Sequence, residues 1–216
     1  YPQFTKYNCF PVVLNANGEL WTANHHLCQF DSLRHLIREI ETDAPSDGDN
    51  RIWSIFQDNM STWWMGVGKP YIYNFNQSQQ DKPQLFEAYN GFDALQKAEK
   101  WHFLENERGI WISANNGLYL LDKEKGIVAR YSEQEEGAHH LPALQFHYTY
   151  QDKDGNLWLA TGDAGLIKIG FDATSNPIVL QHITRANGLP SNELYPIFED
   201  AFNHMWISSA KGLIKL

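Results

Sequence analysis

Apolar residues along this chain fall in short runs that recur at a regular interval, with polar turns of similar character between them. In the clearest instance Asp152-Lys153-Asp154-Gly155-Asn156 leads into Leu157-Trp158-Leu159-Ala160, and then into Gly165-Leu166-Ile167-Lys168-Ile169. Asp-Gly and Asn-Gly between apolar runs signal hairpins, because glycine accepts positive φ and the Asp or Asn side chain caps its own turn. Runs this short are strand length and too short for helices. The second run returns as Gly117-Leu118-Tyr119-Leu120-Leu121 and as Gly212-Leu213-Ile214-Lys215-Leu216. Variable apolar segments at 36–41, 85–89, 128–131 and 178–183 predict one further strand per unit. The segment 92–100 has helical character and predicts a helical turn in a connecting loop.

Tryptophan marks the register of the repeat. Trp21, Trp64, Trp111, Trp158 and Trp206 each follow a polar turn, at spacings of 43, 47, 47 and 48 residues. Four short strands in each period of roughly 40–50 residues is the signature of a β-propeller. The predicted fold is all-β, with four-stranded antiparallel blades at about 10–50, 51–91, 99–132, 144–189 and 193–216. Residues 1–8 would form an outer strand of a neighbouring or closing blade. Blades pack face to face and bury both sides of each sheet, which explains why 157–160 is nearly continuous in apolar character. A β-sandwich would need these matched contexts to be coincidence. The five tryptophans are expected in equivalent, mostly buried sites on second strands.

Composition narrows the class. The chain has 216 residues, 43% hydrophobic and 20% charged, enough apolar material for a sizeable core. A net charge of −9 argues against nucleic acid as partner, since that needs a basic face. No stretch of 18 apolar residues predicts a membrane span, so no membrane contact is expected of this segment. The chain begins at Tyr1 without a methionine, which reads as a mature or excised segment. The only two cysteines, Cys9 and Cys28, are too few for a disulfide framework. Their strands would lie nearly 10 Å apart, beyond the roughly 7 Å between Cα atoms that a disulfide spans, so no bridge between them is expected.

The chain resembles the two-component regulator propeller repeat. Ile197-Phe198-Glu199-Asp200, Gly155-Asn156-Leu157-Trp158 and Gly212-Leu213 carry the likeness, with the linker Asn187-Gly188-Leu189-Pro190-Ser191-Asn192. The second unit departs from it: Thr62-Trp63 replaces Asn-Leu, and Pro70-Tyr71 replaces Gly-Leu. The resemblance implies a periplasmic or extracellular ligand-sensing region of a two-component regulator. In the family, a further β domain, a membrane span and a histidine kinase or DNA-binding output follow, and ligands are commonly oligosaccharides. It also implies a propeller usually of seven blades, so this segment is either a piece of a longer ring or a ring of five. The segment 4–11 is similar to 183–190 and would supply an outer strand, whereas Leu216 stops on the third strand of the last blade. A piece is the preferred reading, and such a segment is expected to associate, as a homodimer or otherwise, or to require its remaining blades.

Candidate chemistry is sparse. Asp152, Asp154 and Asn156 begin like a calcium loop, but Gly155 is misplaced and no distal Glu follows. The doublets His25-His26 and His139-His140 fall in predicted loops and lack the convergent ligands that zinc requires. Glu105 and Glu199 sit at repeat-equivalent positions and read as architecture. No nucleophile, metalloprotease or phosphate-loop motif occurs. No catalytic residue, metal or cofactor is therefore expected.

One pattern is positional. Five residues before the Asp or Asn that opens each hairpin turn stand Phe10, Trp53, Trp101, His147 and Tyr195. Each should start the innermost strand of its blade, near the mouth of a central channel, where rings can stack on the apolar faces of sugars. Alternatively these flat side chains only fill the wedge between blades. Three functions stay open: a ligand-sensing propeller responding to an oligosaccharide, a propeller enzyme of the carbohydrate-active or streptogramin-lyase type, and a structural protein-interaction propeller.

Overall fold

The computed structural model describes residues 11–15, 17–41, 51–68, 71–76, 78–79, 82–86, 95 and 98–216. The chain divides into two compact units, Tyr1–Lys100 and Trp101–Leu216. The first carries two antiparallel sheets: β1 (Val12–Leu14), β2 (Leu20–Ala23), β3 (His26–Phe30) and β4 (Leu36–Glu41), then β5 (Ile52–Gln57), β6 (Trp63–Val67), β7 (Tyr71–Phe75) and β8 (Gln84–Leu85). The third sheet comprises β9 (Lys100–Asn106), β10 (Gly109–Ala114), β11 (Gly117–Asp122) and β12 (Gly126–Tyr131). The fourth comprises β13 (Phe146–Gln151), β14 (Leu157–Thr161), β15 (Leu166–Phe171) and β16 (Pro177–Ile183). The fifth has three strands, β17 (Leu194–Glu199), β18 (Met205–Ser209) and β19 (Gly212–Lys215). In every sheet the strands pair in sequence order, so each sheet is a simple meander. These are the blades of an all-β propeller.

Period-two alternation on the second strands explains the packing. In β14, Leu157 and Leu159 join the cluster of Trp111, Leu118, Ala129 and Tyr131 from the third sheet. Trp158 and Ala160 point the other way, into the cluster of Leu194, Ile197 and Ile207 from the fifth. A strand covered on both sides has no polar face, hence its apolar run. In the first unit Trp21 and Trp63 meet with ring centroids 4.5 Å apart, amid Met65, Val67 and Phe75. The departure at Trp63 is thus a core substitution: the larger ring fills the space between the first and second sheets. Trp64 keeps the repeat position on the opposite face.

The five repeat tryptophans all lie on second strands. Trp21, Trp64 and Trp111 are 0%, 3% and 1% exposed. Trp158 and Trp206 are half-buried, less covered than the other three. Their faces are shared with a lysine ammonium, Lys168 Nζ 4.9 Å from the Trp158 ring and Lys215 Nζ 5.5 Å from that of Trp206. Of the expected helical segment 92–100, Leu95 is helical and Lys100 already begins β9; most of the rest lies outside the described residues. So do residues 1–10, with Cys9 and the N-terminal strand proposed for 1–8. Cys28 is buried on β3.

Each hairpin turn is clasped by its opening side chain. Asp152 Oδ1 accepts the backbone N–H groups of Asp154 and Asn156, at 3.1 and 2.9 Å, while Oδ2 accepts the Trp158 indole N–H at 3.1 Å. Asp200 does the same for Phe202, His204 and Trp206, the last at 2.8 Å. Asp58 Oδ2 accepts from Trp64 at 3.0 Å, and Asn106 Oδ1 from Trp111 at 3.1 Å. Asp152 is therefore committed to its own turn, to the indole and to Lys168 Nζ at 3.0 Å, which accounts for the resemblance to a calcium loop.

The clasps make stability depend on pH. The Trp206 indole bond, helped by backbone N–H groups, holds Asp200 below the usual carboxylate range. At Asp152, burial pushes upward but is outweighed by bonds from Lys168, Asn156 and Trp158, and the net direction is again down. A carboxylate with a depressed folded-state pKa contributes stability that is present above its unfolded value, about 3.9, and lost as pH falls through the folded value. The melting temperature is expected to hold from pH 7 to 5 and to fall below about pH 4. Asp200→Asn, which keeps an acceptor but no titrating charge, should flatten part of that fall in a series of thermal melts.

Candidate functional site

Trp53, Trp101, His147 and Tyr195 each occupy the second position of the first strand in their sheet, on β5, β9, β13 and β17. Phe10 and the side chain of Trp101 lie outside the described residues. Trp53 belongs to the first unit, where it is half-buried under the Arg51 guanidinium, 4.4 Å from the ring centroid.

In the second unit the structure brings His147 and Tyr195 together. Their rings stack at 5.3 Å with 15° between planes. His147 Nδ1 lies 2.7 Å from the Leu194 carbonyl oxygen. A carbonyl only accepts, so Nδ1 carries the hydrogen and Nε2 is the unprotonated nitrogen of the neutral ring. Gly162 makes room for this imidazole, since a Cβ there would stand 2.8 Å from Nε2. The Tyr195 hydroxyl donates to Glu193 Oε1 at 2.6 Å, and that bond is the main cause of its raised pKa. Packing of the fourth sheet beside the fifth explains the meeting, because consecutive blades set the same position of neighbouring first strands side by side. The pair offers a flat stacked surface edged by a carboxylate.

A second stack was not evident from the sequence. His102 and Tyr148 stand at the third positions of β9 and β13, with ring centroids 3.6 Å apart. His102 Nδ1 accepts the Thr149 N–H at 3.4 Å, and burial pushes the imidazole down to about 3. It is neutral at physiological pH and packs as a flat spacer between first strands. The only signal in the sequence is its position beside Trp101, which carries no sign of burial.

The other candidates are structural. Glu105 pairs with Lys123 Nζ at 2.7 Å, and Glu199 accepts from the Tyr150 hydroxyl at 2.7 Å. His26 is not in a loop but opens β3, where its Nδ1 meets Glu39 Oε1 at 2.5 Å. The strand extends that far because His26 pairs with Glu41 across β3 and β4. His139 ends a short 3-10 helix, Gly137–His139.

Successive meander sheets, the second to the fifth keyed by a turn carboxylate or amide to a second-strand indole, define the class as a β-propeller repeat protein. Residues 140–163, which include the Trp158 clasp, match the two-component regulator propeller family. It is similar to histidine kinase P4 of Formosa agariphila, 22% identical over 215 residues, which cover 97% of this chain and 14% of the relative. The chain thus spans about one seventh of that curated relative's length. Among solved structures it is similar to the extracellular domain of a hybrid two-component system from B. thetaiotaomicron, with a TM-score of 0.74 at 21% identity, covering 96% of this chain and 28% of that one. A second such domain from the same organism gives 0.68 at 18% identity, over 96% and 26%. The WD40 propeller of Doa1 gives 0.66 at 11%, over 94% and 61%, so the likeness is one of fold. Among the described residues no helix is long and apolar enough to cross a membrane.

Proposed function

We propose that this chain is the extracytoplasmic sensing propeller of a two-component regulator and that it responds to a neutral or weakly charged oligosaccharide. The observation that carries the reading is the stacked pair of His147 and Tyr195 at the start of adjacent first strands. Sugar rings present apolar C–H faces that stack on flat side chains, and their hydroxyls bond to a carboxylate such as Glu193 or to an imidazole nitrogen. Trp101 and Trp53 join the proposed set by strand position, and Phe10 by its place in the repeat. Support for a sensor, in place of an enzyme or a scaffold, comes from the family of the 140–163 repeat and from the kinds of protein this chain is similar to.

Partners in this reading are the further blades, the β domain and the kinase output of a longer parent chain. The outer side of the fifth sheet fits such a neighbour: Phe198 is 54% exposed and Leu213 62%, more apolar surface than a finished blade leaves in water.

Isothermal titration against a panel of neutral oligosaccharides tests the ligand class. At least one member should bind, and Tyr195→Ala and Trp101→Ala should each weaken it by about tenfold, the loss of one stacking or hydrogen-bonding contact. Equal affinity in the wild type and both variants would remove these rings from the site.

A further inference from the structure

At the opposite, turn-bearing end of the sheets the repeat carries an internal comparison. The residue directly across from the repeat tryptophan is Lys168 opposite Trp158 and Lys215 opposite Trp206. Both lysines lie over the indole face, and Lys168 also bonds the clasping Asp152. In the third sheet the partner of Trp111 is Leu120. The covering ammonium is gone, the clasp is the neutral Asn106, and the turn is one residue shorter, placing Trp111 five residues on where Trp158 is six from Asp152.

A groove of about 560 Å³ opens at this point, between the third sheet and the turn after β15. Its apolar lining comes from Trp111, Leu120, Tyr131 and Phe171, and its charged rim from Glu107 and Arg108. The volume lies within the range of about 300–1,000 Å³ usual for small-molecule sites. Arg108 sits with its guanidinium carbon 3.9 Å from the Phe171 ring centroid and makes no ion pair among the described residues. Two cations of the same sheet region are committed: Arg130 pairs with Glu135 at 2.8 Å, and Lys123 with Glu105 at 2.7 Å. A guanidinium held flat on an aromatic ring keeps its N–H fork directed sideways, the geometry that receives a carboxylate through two parallel bonds.

We infer that this groove is a second binding site, for a small monoanionic ligand in which a carboxylate is attached to a six-membered ring. The carboxylate meets Arg108, and the flat face of the ring lies against the Phe171 edge and Leu120, where the fourth and fifth sheets place lysine. Glu107 disfavours a second negative charge, so the site takes monoanions over polyanions. A sugar acid and an aryl acid share this chemistry, and the test separates them. The site is built from different residues than the His147 and Tyr195 stack and stands or falls apart from it.

The purified chain is titrated at low salt with D-glucuronate, benzoate and D-glucose, and again as Arg108→Gln and Glu107→Gln. Both positions lie in the β9–β10 turn outside the core, so folding should survive. At least one carboxylate should bind, and any binding of glucose should be the same in the wild type and in Arg108→Gln. Arg108→Gln should weaken that binding at least about tenfold, as expected for a lost charge-assisted bond. Glu107→Gln should tighten it by about two- to threefold through relief of like-charge repulsion. A purely structural role would not move the two variants in opposite directions. Glucuronate alone identifies a sugar acid and benzoate alone an aryl acid. No binding by either, or an unchanged affinity in Arg108→Gln, overturns the proposal.

Discussion

Replacing Trp111 with alanine is expected to cost about 3–5 kcal/mol, the range for removing a large buried aromatic. The side chain is 1% exposed and lies between the third and fourth sheets, its ring 5.7 Å from Tyr131 and 5.8 Å from Phe171. Truncation leaves a cavity walled by strands on both sides, which are held by their own ladders and cannot collapse into it. Trp206→Ala is the comparison. That ring keeps the same indole bond to Asp200, but it is half-buried and stacks at 6.4 Å on Phe198, itself 54% exposed. Its loss should cost about 1–2 kcal/mol, the ordinary range for a partly exposed site. Urea unfolding of the two variants would show the difference as unequal shifts in midpoint at similar slope. Equal shifts would mean that the sheet interface at Trp111 is not what makes it matter.

Gly109→Ala should be nearly as damaging. Gly109 has φ +131, and a Cβ there would stand 2.5 Å from the Leu121 carbonyl oxygen and 3.3 Å from Leu120 Cδ1. The carbonyl belongs to the backbone of β11, one residue along from the partner of Trp111, and it cannot yield without breaking the hairpin. Backbone strain and overpacking together predict a loss of about 3 kcal/mol or more. Gly18→Ala separates the two contributions. Gly18 has φ +76 and nothing within 4 Å of a built Cβ, so only the strain applies. It should cost about 1–2 kcal/mol. Thermal melts that rank Gly18→Ala as the worse variant would contradict the packing at the β10–β11 hairpin.

The sequence made the blades legible because period and turn chemistry agree. A nearly constant tryptophan interval and a polar turn opened by Asp or Asn define second strands without any knowledge of packing. The clasp was harder to foresee. Asp152, Asp154 and Asn156 are spaced like metal ligands, and only the folded turn shows that Asp152 divides its two oxygens between the backbone and the indole. The positional rule for ring side chains put His147 and Tyr195 at matching strand positions, but their meeting needs the lateral placement of two sheets, about which residue spacing is silent. Trp63 reads as an anomaly along the chain and becomes intelligible only as a contact with Trp21. Leu120 is invisible for another reason. One leucine in an apolar strand carries no signal until β-pairing shows that its counterparts are polar: Gln29, Asn74, Lys168 and Lys215.

The meander order of the strands bears on how the chain reaches this state. Every ladder joins sequence neighbours, and each indole clasp closes a loop of only five or six residues. Contact order is therefore low within a sheet, so a blade can assemble from local hairpins before distant segments meet, which favours fast formation in an otherwise slow all-β class. Between sheets of the second unit, the two apolar clusters join only the third to the fourth and the fourth to the fifth. Stability in such an array sums intrinsic terms and nearest-neighbour couplings along a line. The fourth sheet, coupled on both sides, is the last of this unit to open, while the fifth frays first and exchanges its amide hydrogens soonest.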